Sequence, residues 1–202
     1  MRRGILVVAL ALLAASCADE TPRPRTAAPE TPASPTTETA TPTPTPTATS
    51  DDLAGASCKR RKGGDPANFP DFVEVKIESE GDTEKVEFRF EPEGHPADAP
   101  QWFVRFTDQL LSDAEGAPVD VAGDAFVSIS FMARGVDLSG DGFEEIYTGP
   151  TEFTPGLSTI LEVEQLGDFE GLVSWGIGLP SRACFVVEAR PDRIVLEFPA
   201  AP

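Results

Sequence analysis

The sequence predicts an all-β fold, an antiparallel β-sandwich, on three observations. Apolar residues alternate with polar ones at a period of two through most of the chain after residue 70. Short clusters of glycine, proline and acidic residues separate the alternating runs. No segment shows the three-to-four spacing of a long amphipathic helix; only residues 108–114 suggest a single helical turn.

Taken in order, Val73, Val75 and Ile77 alternate with Glu74, Lys76 and Glu78, and Val86, Phe88 and Phe90 alternate with Glu87, Arg89 and Glu91. Trp102, Val104 and Phe106 form the next run, followed by 126–131, 160–166, 173–177 and 184–187, and finally by Ile194, Leu196 and Phe198. Turn formers stand between them, among them Glu80-Gly81-Asp82, Glu93-Gly94-His95-Pro96, Thr148-Gly149-Pro150 and Arg190-Pro191-Asp192. About eight strands joined by short turns fit a sandwich with one face of each sheet in the core. Trp175 shares the parity of Val173 and Ile177 and is expected in that core; Trp102 is expected there too, with a sugar-stacking platform as its alternative. Gly176 and Gly178, inside a strand, predict a bulge or a close backbone approach.

The chain has 202 residues, with 34 Asp and Glu against 16 Lys and Arg and a formal charge of −18. Such a balance excludes nucleic acid as a natural partner, since binding to it starts with phosphate neutralisation. It also disfavours adsorption of the domain itself to anionic lipid. An exception is the run Lys59-Arg60-Arg61-Lys62, which either touches an anionic wall polymer or headgroup, or is a solvated patch lying against the acidic domain.

The first 16 residues read as an export signal. Arg2 and Arg3 precede the apolar run 5–13, too short for a membrane span of about 20 residues, and small residues follow. Leu13-Ala14-Ala15-Ser16-Cys17 resembles the lipobox of bacterial lipoproteins, with Ala14 where Leu is commonest. The resemblance implies cleavage before Cys17 and acylation of its thiol, anchoring the protein to the outer face of the cell membrane. Residues 17–52 are nearly all Thr, Pro, Ala, Ser and Glu and predict a disordered or polyproline stalk, open to O-glycosylation. At about 3.1 Å per residue it reaches roughly 100 Å. Residues 53–202 remain for one domain.

With Cys17 assigned to lipid, Cys58 and Cys184 are left as a pair, and an oxidising compartment predicts a disulfide between them.

Several phrases recur in an ordered set: Val86-Glu87-Phe88-Arg89-Phe90, Gly116-Ala117-Pro118-Val119-Asp120-Val121-Ala122-Gly123-Asp124-Ala125, Tyr147-Thr148-Gly149-Pro150, Gly167-Asp168-Phe169-Glu170-Gly171 and Ser174-Trp175-Gly176-Ile177-Gly178-Leu179. Over residues 72–198 this set resembles the AMIN-like domain of secreted and lipid-anchored actinobacterial proteins. The resemblance implies a β-sandwich related to the AMIN domain, a non-catalytic module that localises its host proteins at peptidoglycan. It carries over no functional residues. The cysteine pair and an insert over 134–145 depart from the family pattern. In ordinary physical terms Gly167 and Gly171 bracket a turn, with Phe169 folded back on the sandwich edge.

Candidates for chemistry are few. His95 is the single histidine, with no partner set for base catalysis or zinc. Carboxylates are so numerous that a glycosidase-like Asp/Glu pair has no specificity as a signal. Asp137, Ser139 and Asp141, ahead of Gly142, resemble the first half of a calcium loop, but position twelve is Thr148 rather than a bidentate Glu. The expectation is therefore an envelope module without catalytic residues or a required cofactor, contacting wall polymer or an envelope protein. The alternatives are an envelope hydrolase with an Asp/Glu pair and a calcium-stabilised adhesive module.

Overall fold

A computed structural model describes residues 53–137, 142 and 144–201. The expected signal segment, Cys17, the stalk, Ser139 and Asp141 lie outside the described residues. Among those described, the strands in chain order are β1 (Arg61–Gly63), β2 (Asp71–Glu80), β3 (Thr83–Glu91), β4 (Trp102–Thr107), β5 (Leu110–Leu111), β6 (Pro118–Val119) and β7 (Ala125–Met132). There follow β8 (Val136–Asp137), β9 (Glu144–Glu145), β10 (Glu152–Phe153), β11 (Glu162–Phe169), β12 (Leu172–Leu179), β13 (Val186–Arg190) and β14 (Arg193–Pro199). They form an antiparallel six-stranded sheet, order β1-β4-β7-β12-β11-β10, and an antiparallel four-stranded sheet, order β13-β14-β3-β2. The β-sandwich expected from the alternation is the fold, and each of the eight expected runs is a strand.

The two sheets meet through the apolar parity of each strand. Val86, Phe88, Ile194, Leu196 and Phe198 come from one sheet and Val104, Val127, Ile129, Phe131, Val163, Trp175 and Ile177 from the other, all fully buried. Rings fill the centre. Phe72 stacks on Tyr147 with centroids 4.5 Å apart and stands 5.2 Å from Phe131 and 6.1 Å from Trp175. Trp175 presents its ring edge-on to Tyr147 at 5.8 Å, and its buried Nε1 has no hydrogen-bond partner among the described residues. Each buried ring contributes about 1.5–3 kcal/mol through removal of its surface from water, which dwarfs any one surface contact.

Three local expectations are corrected. In β2 the fully buried residue is Phe72, not Val73, because a bulge between Phe72 and Glu74 resets the parity before Val75. Residues 108–114 form no helical turn: Leu110–Leu111 pair with Pro118–Val119 as a small hairpin, because Leu110 is buried against the outer side of the six-stranded sheet with Val121 and Leu166. Phe169 does not fold back on the edge; it is 62% exposed.

Cys58 and Cys184 are disulfide-bonded, with Cα atoms 4.5 Å apart and a sequence separation of 126. Ser57 bridges Phe185 beside the bond, so the chain before β1 is fixed to the segment before β13. A crosslink closing so long a loop stabilises by about 2–4 kcal/mol.

Candidate binding face

The ordered sequence phrases prove to be packing devices. β12 is buried on both sides, since Ser174, Gly176 and Gly178 face away from the core yet are covered. A Cβ on Gly176 would stand 2.5 Å from Leu110 Cδ1, and one on Gly178 would overlap the Ala122 carbonyl and stand 2.8 Å from Val121 Cγ1. Gly123, at φ +135°, lies where a Cβ would be 2.5 Å from the Leu179 carbonyl oxygen, and Asp124 N–H donates to that oxygen. The phrase around Val121 is therefore the cover, and the phrase around Trp175 is the grooved strand that receives it. Of the two expectations for Gly176 and Gly178, the close approach is the one realised.

Tyr147 donates from its hydroxyl to the Pro150 carbonyl at 2.6 Å, and Gly149 leaves room for the ring, since a Cβ there would be 2.6 Å from the hydroxyl oxygen. Burial, with Glu74 nearby, pushes the phenol up to about 12. Glu170 and Gly171, at φ 51° and 77°, make the tight β11–β12 turn beneath Phe69.

An open cleft of about 580 Å³ is lined by Asp65, Asn68, Phe69, Glu93, His95 and Arg134, among others. Asp65, Asn68, Glu93 and Arg134 are engaged in structure, whereas His95 is exposed and makes no hydrogen bond or ion pair with another described residue. Asp65 Oδ1 accepts from Ala67 N–H at 2.9 Å, and Asn68 Nδ2 donates to the Asp98 carbonyl at 2.8 Å. Arg134 donates to Glu93 and to Asp71, each at 2.6 Å, and those two carboxylates, Glu93 first, hold the guanidinium firmly charged. Glu93 is thus taken up in an ion pair with Arg134.

Asp137 pairs with Glu144 across the β8–β9 ladder at the base of the 134–145 insert. Among the described residues no group of three or more His, Cys, Asp and Glu side chains is placed to hold a metal ion.

The side chains free to meet a partner lie on the outer face of the six-stranded sheet. The register sets Lys62, Phe103, Ser130 and Ser174 in one cross-strand row, and Arg105, Ser128 and Gly176 in the next. Phe103 is 39% exposed. The hydroxyls of Ser128 and Ser130 are half-buried and donate to no other described residue. One row further on the same face, Met132 pairs with Leu172 and Leu172 with Phe169. Sequence reasoning did not single out this face, although Phe103 and Arg105 occupy the polar parity of their strand and so were legible as outward. Lys59 to Lys62 lie exposed on and just before β1, and among the described residues none of the four is ion-paired.

These features define a β-sandwich module that presents exposed aromatic and polar groups on an open sheet face. A family model of the AMIN-like domain matches residues 70–200, and the chain belongs to that family. AMIN-like domains are extracytoplasmic, cell-envelope-associated modules and are generally non-catalytic. No curated protein and no solved structure is a match for the chain.

Proposed function

We propose that the protein is a lipid-anchored, non-enzymatic envelope module, held at the outer face of the cell membrane by acylated Cys17 and carried on the Thr/Pro-rich stalk of residues 17–52. Its 53–202 domain binds cell-wall polymer. The observation that carries the binding reading is a pair of exposed rings on the outer face of the six-stranded sheet, Phe103 beside the hydroxyls of Ser128 and Ser130, and Phe169 three strands away beyond Leu172 and Met132. Large apolar rings left in water on a sheet whose other face is a dense core mark a contact surface, and rings flanked by hydroxyls suit a sugar better than an apolar protein patch.

Sedimentation of the full chain carrying C17A with insoluble cell wall tests this. Retention that falls about tenfold or more in Phe103→Ala/Phe169→Ala supports the reading, a loss of about 1.4 kcal/mol being tenfold. Retention unchanged by that double substitution, or no retention at all, overturns it. Anchoring is read separately: the wild-type chain should partition into detergent and Cys17→Ala should not.

A further inference from the structure

We propose that the wall polymer is a linear polyanion, gripped by the cationic edge of the six-stranded sheet where β1 meets β4. The inference rests on the wall-binding reading above and adds the ligand's class. Its ground is how the basic side chains of an acidic domain are distributed. Lys85, Arg89, Arg134, Arg190 and Arg193 each meet a carboxylate within 3.4 Å. Lys76, also unpaired, stands opposite Glu87 in the β2–β3 ladder. Among the described residues Lys59, Arg60, Arg61, Lys62 and Arg105 have no such partner, and all five are exposed.

These five are neighbours by construction. Arg61 pairs with Val104 and Lys62 with Phe103, so β1 runs alongside Arg105; Lys62, Phe103 and Arg105 share the outer face, while Arg61 is exposed at the sheet edge on the opposite parity. Arg182 closes the group: its Nη2 donates to the Cys58 carbonyl at 3.1 Å and its guanidinium caps Phe106 at 4.3 Å from the ring centroid. The disulfide fixes the start of this stripe to the body of the domain. The backbone that carries Arg61 and Lys62 is held in a strand, so a ligand there has side-chain freedom to restrict but no backbone to order.

The domain's acids do not cancel the stripe. On the same sheet Glu152, Glu162 and Glu164 belong to β10 and β11, at the opposite edge. With strands about 4.8 Å apart, β11 is roughly 19 Å from β1, more than two Debye lengths at physiological salt. The carboxylates on the outside of the four-stranded sheet lie beyond the core, a further separation of about 10 Å between layers. Asp65 and Asp108, nearest in sequence, stand beyond the ends of β1 and β4. A single extended polymer lying along β1 feels the cations and is screened from the rest. A flat anionic membrane would instead bring its charge up against the acidic remainder of the surface, which favours the polymer as occupant.

The test uses the full chain carrying C17A and measures binding to long-chain inorganic polyphosphate, to polygalacturonate, to neutral dextran and to anionic phospholipid vesicles. Binding to polyphosphate or polygalacturonate but not to dextran, lost steeply as salt rises, is the expected result; which of the two binds tells phosphodiester from carboxylate chemistry. Lys59→Gln/Arg60→Gln/Arg61→Gln/Lys62→Gln should weaken it about tenfold or more while leaving the thermal midpoint close to the parent, because these side chains are exposed. Lys62→Gln/Arg105→Gln gives an independent, smaller loss if the fourfold variant folds poorly. Equal binding to dextran, binding to vesicles in preference to both polyanions, or affinity untouched by the substitutions would overturn the proposal. If insoluble wall still retains the chain while neither polyanion binds, the polyanion is wrong and the wall reading stands. If wall never retains it, the wall reading falls and the soluble polyanions decide this one alone.

Discussion

On the outer face of the four-stranded sheet charges face one another across the ladders. Lys85 is bonded to Glu80 and lies 3.2 Å from Glu197, and Arg89 meets Glu74 at 3.2 Å and Glu87 at 3.4 Å. On the outer face of the six-stranded sheet the corresponding positions hold Phe103, Ser128, Ser130 and glycines, with cations at one edge and carboxylates at the other. The first surface satisfies itself and is a solvated wall. The second is satisfied by shape where the β5–β6 hairpin covers it and is left open where the hairpin ends. Exposed ion pairs contribute only about 0–1 kcal/mol each, so the paired face is a matter of solubility rather than stability. What distinguishes the sheets energetically is how each is tied to the other and to its cover.

The strongest tie comes from the four-stranded sheet and is polar. Glu84 of β3 is 2% exposed and shares the parity of Val86, Phe88 and Phe90. Its Oε1 accepts from Ser158 N–H at 2.9 Å and from the Ser158 hydroxyl at 2.8 Å; its Oε2 accepts from Thr159 N–H at 2.9 Å and Ile160 N–H at 2.7 Å. One carboxylate thus holds the chain entering β11 of the opposite sheet. Glu84→Ala leaves three backbone donors without an acceptor, two of them fully buried, and should cost about 3–5 kcal/mol, measured by urea unfolding. Glu84→Gln, which keeps the acceptor on one side only, should lose less. A cost below about 1 kcal/mol for the alanine variant would show that the sheets are joined by their apolar core alone.

The tie on the other sheet is steric. Gly178→Ala places a Cβ on the Ala122 carbonyl, a backbone atom that cannot rotate away. The expected loss is about 1–3 kcal/mol, with the hairpin displaced and the Leu110–Val121–Leu166 cluster exposed to a hydrophobic dye. Gly176→Ala meets the end of the Leu110 side chain instead, which can shift, and should cost less than Gly178→Ala. Reversal of that order would mean that the cover yields as a body rather than residue by residue.

Alternation made the eight long strands and most of the core readable, because burial on one face imposes a period of two on any sequence that folds this way. It failed where packing departs from that rule. The β2 bulge moved burial to Phe72; the 108–114 segment looked helical because its own residues are permissive, and only the groove over Gly176 makes Leu110 a strand residue. Glu84 was visible as a charge on an apolar parity but gave no sign of its partners 74 to 76 residues away. The proposed binding face was hidden for a similar reason. Lys59–Lys62 read as a short charge run, and nothing in their spacing tells that they become an edge strand beside Phe103 and Arg105, since that pairing depends on the disulfide and on β4, some 40 residues later.

Asp168 sharpens the contrast between the sheets with a small effect. Its carboxyl lies against the bare Cα of Gly135, half-buried on the core side of β11, and no described group hydrogen-bonds it. Burial pushes its titration above the ordinary 3.8. The folded state therefore holds this proton more tightly than the unfolded state does. Stability from this residue is complete below the ordinary carboxyl value and declines as pH rises through the interval up to the raised one, leaving a cost at neutral pH. Asp168→Asn removes that cost without changing the shape against Gly135. It should stabilise at pH 7 by less than about 0.5 kcal/mol, discounted because solvent reaches the side chain, and change nothing at pH 3. On the four-stranded sheet Lys85 holds Glu80 below its usual range, so Glu80→Gln should act with the opposite sign and lose a little stability at neutral pH only. Urea titrations of both variants at the two pH values check the pair; a loss at pH 7 for Asp168→Asn would mean that the carboxylate has a cation partner in solution and that the six-stranded sheet is as electrostatically closed as its neighbour.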